Sequence, residues 1–265
     1  MHTIGCGGSP RAPSTEQTIP GPSAPAQQTA PALDAFRRTV EETAAELLRD
    51  GGSFIARPVL RIDADQHRIV YGPGEMNDIA LGLTDNGRFS LAVAVHLRAH
   101  MLTELLEPLG ANATFWRPAV DELNGIADEL ARGASDASFQ SWTWEARIQD
   151  VMARFENEAE TYARSMQYDF VVDREGGRLP ASTGFSVEVT TAPPLGTIRM
   201  LGYLAYRKEQ LQRTSHEAMP WITLAGARAQ LIGRYRYWVT WPNGASAEGI
   251  VEVNSSQPLN FVPRP

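Results

Sequence analysis

At 265 residues the chain has material for one large domain or two ordinary ones with a buried core, and 43% hydrophobic with 21% charged residues is a globular composition. A net charge of -7 with no basic cluster excludes a general phosphate-backbone binder, because nucleic-acid affinity comes from basic patches that release counterions. The single cysteine excludes an internal disulfide and a zinc cluster of several thiolates, and no apolar run approaches the roughly 18–20 residues that span a bilayer.

Residues 7–32 hold six prolines among Ser, Thr, Gln and Ala, with Arg11 and Glu16 as their charges. Such a tract buries too little surface to offset its ordering entropy, so residues 1–32 read as a disordered tether extending at most ~3.1 Å per residue. At its head, Thr3-Ile4-Gly5-Cys6 resembles the end of a bacterial lipoprotein signal, in which a small residue precedes the cysteine that becomes lipidated. In that family leucine usually stands where this chain has Thr3. The resemblance implies a lipid on Cys6 and a place in the bacterial cell envelope, on the periplasmic side of a membrane. Acyl chains followed by a spacer are what a tethered domain needs. A secretory signal needs a charged start and an apolar stretch of about 7–15 residues, and neither stands before Cys6 here, so the lipoprotein reading requires a trimmed chain or a misassigned start codon. The alternative is a disordered tail on a cytosolic protein, with Cys6 incidental.

Order begins at Leu33. Leu33, Phe36, Val40, Ala44, Leu47 and Leu48 recur at helical spacing, and Gly51-Gly52 stop the helix after Asp50. FIARPVLRIDADQHRIVYGPG predicts two short strands around Asp63-Ala64-Asp65-Gln66, closed by Gly72-Pro73-Gly74. SLAVAVHLRAHMLTELLEPLG predicts a helix stopped at Pro108 and Gly110, with a buried strand as the other reading of its first half. A further helix is expected over 119–132. Over 142–168, Trp144, Ile148, Val151, Phe155, Ala159, Tyr162 and Met166 draw one apolar stripe, predicted to pack along one side for seven turns. Asp150 with Arg154 and Glu160 with Arg164 add acid-before-base pairs four residues apart.

Few residues in this stretch call for chemistry. His96 and His100 share a helix face as zinc ligands do, but no third ligand or HExxH pattern accompanies them, so they read as ordinary histidines. Glu156 and Glu160 read as a solvated face. Gly72-Pro73-Gly74 lacks the spacing and the lysine of a phosphate loop. No metal and no cofactor are expected. Residues 56–95, with RPVLRID, MNDIALGL and Asn86-Gly87-Arg88-Phe89, resemble the start of the α/β domains of some envelope lipoproteins that activate peptidoglycan synthases or build secretion pores.

From Tyr168 the period changes to alternation. Phe185, Val187 and Val189 alternate with Ser186, Glu188 and Thr190. Tyr235, Tyr237, Val239 and Trp241 oppose Arg234, Arg236, Trp238 and Thr240, and Pro242-Asn243-Gly244 supplies a turn. Val251 with Val253 and Leu259 with Phe261 complete a small antiparallel sandwich. Residues 183–263 resemble the PEGA-type β-sandwich modules of bacterial surface proteins, through VEVTTAPPLGTIRM, PWITL, LIGRYRYWVTWPNG and GIVEVNSSQPLNFVP in that order. LAYRKEQLQRTSHEAM is inserted where the family's own name motif would stand. The resemblance implies a non-catalytic module for contacts outside the cytoplasm.

The residues agree with that implication. There is no Gly-x-Ser-x-Gly elbow. Ser215-His216-Glu217 are adjacent and cannot be read as a triad, and Pro220 takes the place of a second metal-binding histidine. Trp221 and Trp241 are assigned to the sandwich core. Trp238, flanked by Arg234 and Arg236, is the partner-binding candidate, since Trp and Arg dominate binding hot spots.

The expected fold class is α+β, with a mainly helical domain at 33–170 followed by an antiparallel β-sandwich at 171–265. The expected function is a non-catalytic binding or scaffolding component of the cell envelope, with other envelope proteins and peptidoglycan as partner classes. The alternatives are an accessory regulator of an envelope enzyme and a hydrolase with a site between the domains. The hydrolase needs a pocket that collects His96, His100 and carboxylates from 145–160.

Overall fold

The computed structural model describes residues 30–50, 55–75, 87–132, 139–176 and 184–263; Cys6, its tether to residue 29 and residues 76–86 of the 56–95 resemblance lie outside them. The fold is α+β, with a helical half followed by sheets.

Helix α1 (Ala30–Asp50) buries Phe36, Val40, Ala44 and Leu47, the stripe its spacing draws. Strands β1 (Val59–Asp63) and β2 (Arg68–Gly72) pair antiparallel, and the Asp63 carboxylate accepts the Gln66 N–H at 3.0 Å in the turn between them. Helix α2 (Arg88–Leu106) has no single apolar face: Ala92, Val93, Val95, Leu97, Ala99 and Met101 are buried on successive sides. A helix of that kind belongs in a core, and α1, α3 (Arg117–Arg132) and α4 (Ser141–Ser165) surround it. Contrary to the expectation that no apolar run approaches a bilayer span, residues Arg88–Leu109 have the length and apolar composition of a membrane-crossing helix; 56% of that window is buried inside the protein.

The α4 stripe is packed from Trp144 to Tyr162 and fails at Met166. Val151, Phe155 and Ala159 are buried, Trp144 and Ile148 are half-buried, and Met166 is 41% exposed past the helix end. Arg147 bonds Glu129 at 2.7 Å and Arg154 bonds Glu122 at 2.8 Å, tying α4 to α3, and these guanidinium bonds hold both carboxyls below the usual range. After α4, β3 (Asp169–Val172) joins the first sheet parallel to β2, so the helical half closes at Val172 rather than at 170.

The second half is a sandwich. Its first sheet is β10 (Leu259–Phe261), β4 (Phe185–Thr191) and β7 (Arg228–Leu231), and its second is β6 (Ile222–Thr223), β5 (Thr197–Gly202), β8 (Gly233–Thr240) and β9 (Ser246–Val253). Pairing is antiparallel except for β10 on β4. Val187, Val189, Ile198, Met200, Val239 and Trp241 fill the space between the sheets, and the Trp241 indole N–H donates to the Pro193 carbonyl at 2.7 Å.

The inserted segment joins the halves. Helix α5 (Tyr203–Leu211) starts where β5 ends, and Tyr203 and Leu204 are buried within the helical core rather than the sandwich core. Arg207 then reaches α1, with Nε 3.1 Å from the Thr43 hydroxyl and Nη2 3.2 Å from the Glu42 carboxylate. Leu204 is 1% exposed, so Leu204→Ala should cost about 2–5 kcal/mol in denaturant unfolding of the whole chain. Met166→Ala, at the unburied end of the stripe, should change stability by no more than about 0.5 kcal/mol in the same measurement.

Candidate functional site

Alternation along β8 sends Val239 and Trp241 inward and Arg234, Arg236, Trp238 and Thr240 to the outer face of the second sheet. The register sets Trp238 between Arg199 of β5 and Glu248 of β9, and Arg236 between Leu201 and Ile250. The inserted segment folds over part of this face. The His216 ring lies 4.5 Å from Trp238 and 4.9 Å from Trp221, and the Trp221 indole N–H donates to the His216 carbonyl at 2.7 Å. Arg236 pairs with Glu248 at 3.1 Å and lies 5.2 Å over the Tyr206 ring. Arg199 lies 5.2 Å over Trp238 from the neighbouring strand β5, a geometry worth about 0.5–1 kcal/mol at a partly exposed site.

Arg234 differs from its neighbours. It is 9% exposed, its guanidinium stacks 4.4 Å over the Tyr203 ring, and Nη1 donates to the Glu46 carbonyl of α1 at 3.3 Å. Trp238 and Arg236 therefore share one cluster, while Arg234 faces the junction between the halves. Trp241 is in the core as expected, but Trp221 is not: it stands just before the two-residue edge strand β6 and packs half-buried on the outer cluster. Arg199, Glu248 and Ile250 join the site without having been singled out, and His216, weighed in the sequence only as a triad or metal-motif residue, joins it as well. Strand alternation at 246–253 is the signal that could have added Glu248 and Ile250; the approach of His216 is tertiary.

A second site lies in the helical half. Between α2 and α4 is a cleft of about 560 Å³, lined by Val95 and Arg98 on one side and by Glu145, Gln149 and Met152 on the other. Its rim is the Pro73-Gly74 turn, where φ is +63° and a Cβ on Gly74 would come within 2.4 Å of the Ala56 carbonyl. Only glycine fits there. Glu156, read in the sequence as solvated, lines this cleft at 19% exposure and accepts from Arg174 at 2.8 Å; Glu160 pairs with Arg164 on the surface. Arg98 has no hydrogen-bond or ion-pair partner among the described residues. Behind it the Tyr71 side chain is fully buried, and its hydroxyl also lacks a partner among them, a state costing about 1–3 kcal/mol. Burial pushes the Tyr71 pKa up, with the Arg98 charge opposing. A lone arginine inside LAVAVHLRAHML is the sequence signal for this cleft.

The pocket that a hydrolase needs does not assemble. Glu145 and Glu156 line the α2–α4 cleft, whereas His96 lies in a different cleft of about 330 Å³ with Glu41, Asn124 and Asp128. His100 is exposed and meets Glu104 at 3.1 Å. Among the described residues no group of three or more His, Cys, Asp or Glu side chains is placed to hold a metal ion.

No family model, curated protein or solved structure matches this chain. The geometry of these faces is what bears on function.

Burial lowers the His96 pKa, with Glu41 and Asp128 opposing and His100 assisting. Protonation then favours the unfolded chain, so the stability from neutral His96 is complete above pH 6.5 and is lost as pH falls toward the lowered folded value. Between pH 7 and pH 5 the unfolding temperature should fall less in His96→Gln than in the wild type, and the His96 ring signals should titrate below the ordinary histidine pKa of 6.5.

Proposed function

We propose that the protein is a non-catalytic binding or scaffolding component of the bacterial cell envelope, tethered by a lipid on Cys6 and contacting partners through the outer face of its sandwich. The observation that carries this reading is the row Arg199, Trp238 and Glu248, with Ile250 next to it at 43% exposure. It sets an aromatic ring, a guanidinium, a carboxylate and an exposed aliphatic side by side on a rigid sheet. Such a surface offers stacking, charge and apolar contact together, the mixture found at interface hot spots. Arg236 holds Glu248 in place and Arg234 ties the other end of the same face to α1, so the three residues singled out in the sequence have different parts.

The PEGA resemblance supports the same reading through its order of strands and turns over 183–263. The insertion that departs from the family covers one end of the face, with His216 reaching Glu248 of β9 at 3.4 Å, and leaves Ile250 exposed. Folded envelope proteins are the partner class proposed first, and peptidoglycan, whose sugars can stack on Trp238, the second.

Two measurements test this. Intact mass and membrane fractionation of the natively expressed protein should give a membrane-bound product acylated at Cys6, released to the soluble fraction by Cys6→Ala; an unmodified soluble product overturns the envelope address. Photo-crosslinking residues placed at Ile250 and Arg199 should each capture a discrete envelope protein, and Trp238→Ala should weaken that capture by at least about tenfold without loss of the circular dichroism spectrum. Capture no greater than from a crosslinker at exposed Asn157 of α4 counts against the face.

A further inference from the structure

We propose that the cleft between α2 and α4 binds a zwitterionic small molecule with an apolar side chain, the class of apolar α-amino acids and short peptides, with Arg98 taking its carboxylate and Glu145 its ammonium. This site is on the helical half, apart from the sandwich face, and stands or falls independently of it.

The cleft measures about 560 Å³, within the range of small-molecule sites. Leu91, Ala94 and Val95 of α2 face Ile148 and Met152 of α4 across it, which gives an apolar trough. Into that trough projects one guanidinium, Arg98, half-buried and without a carboxylate partner among the described residues. A guanidinium held away from bulk water gains most from a planar carboxylate that takes two of its N–H groups. Next to Arg98, in a pocket of about 10 Å³ that shares Pro73, Gly74 and Met152 with the cleft, the buried Tyr71 hydroxyl offers a further donor that nothing among the described residues accepts.

The remaining charges decide what kind of anion fits. Glu75, Glu145 and Glu156 line the same cleft, and Arg174 is engaged by Glu156 at 2.8 Å. A doubly charged phosphate would meet three carboxylates with one guanidinium free, so repulsion rejects it. A monoanion carrying its own cation is different. Glu145 forms no ion pair with Arg98 or with any other described residue, and it lines the wall where an ammonium next to a bound carboxylate could reach it. Gln149, one turn further along α4, supplies an amide for a peptide bond. The apolar trough then takes the side chain.

Calorimetric titration of the full chain with L-leucine, L-phenylalanine and Leu-Leu tests the class, with leucinamide and N-acetyl-leucine as controls that each lack one charge. The expected result is saturation below about 1 mM by at least one of the first three, with at least about tenfold weaker binding of both controls. Arg98→Gln should weaken the zwitterion about tenfold or more, and Ala153→Trp, which fills the cleft from an exposed position of α4, should abolish binding with the fold unchanged. Leucinamide binding as well as leucine removes the role of Arg98. N-acetyl-leucine binding as well as leucine removes the role of Glu145. No heat from any zwitterion with the folded wild type overturns the proposal.

Discussion

A four-stranded sheet has two faces, and in this protein the second face is closed by an arginine turned inward. Arg234 sits under the Tyr203 ring and gives a hydrogen bond to the Glu46 carbonyl near the end of α1, where a cation also meets the negative end of the helix dipole. A guanidinium suits this position because it is weakly hydrated and can stack and donate at once. The contact fixes where α5 leaves β5, and α5 then presents Tyr203 and Leu204 to the helical core while Arg207 reaches Thr43 and Glu42. The two halves are coupled through one inserted segment and one strand, so the open part of the outer face is whatever that segment does not cover.

Elements whose burial follows a single period were legible in the sequence. The stripe of α1 and the alternation of β4 place Phe36, Val40, Ala44, Leu47, Val187 and Val189 inside as the structure does, whereas β8 buries Val239 from the expected face and Arg234 from the opposite one. Helix α2 was ambiguous for a physical reason: a helix buried on every side shows no stripe, and a buried strand shows none either. Seven turns were expected of α4 and fewer are packed, because spacing states which residues share a face but not how far the neighbouring layer extends; that layer stops short of Met166.

Long-range partners left no such trace. YLAYRKEQLQ is short and charged, and nothing in it says that Tyr203 and Leu204 fill the core built by the helices far earlier in the chain. Trp221 and His216 were noticed one at a time, yet their meeting over Trp238 depends on a two-residue strand at the sheet edge. Arg98 was the opposite case. A single cation in an apolar helix carries a desolvation cost, and that cost marks either an internal ion pair or a place where the helix meets solvent or a ligand.

Composition alone cannot separate an interface used within a chain from one used between chains, since Trp, Tyr and Arg serve both. Along β8 and its neighbours the difference is visible as a gradient of exposure. Arg234 is 9% exposed and bonded to the helical half, the Arg236 side chain is 19% exposed and bridges to Glu248, and Ile250 on the outermost strand is 43% exposed. The same chemistry runs across all three strands, but its internal work is finished at the α1 side. What remains at the β9 side is an apolar and charged surface with no internal partner to cover Ile250 among the described residues, and that side is where an external contact has area to gain.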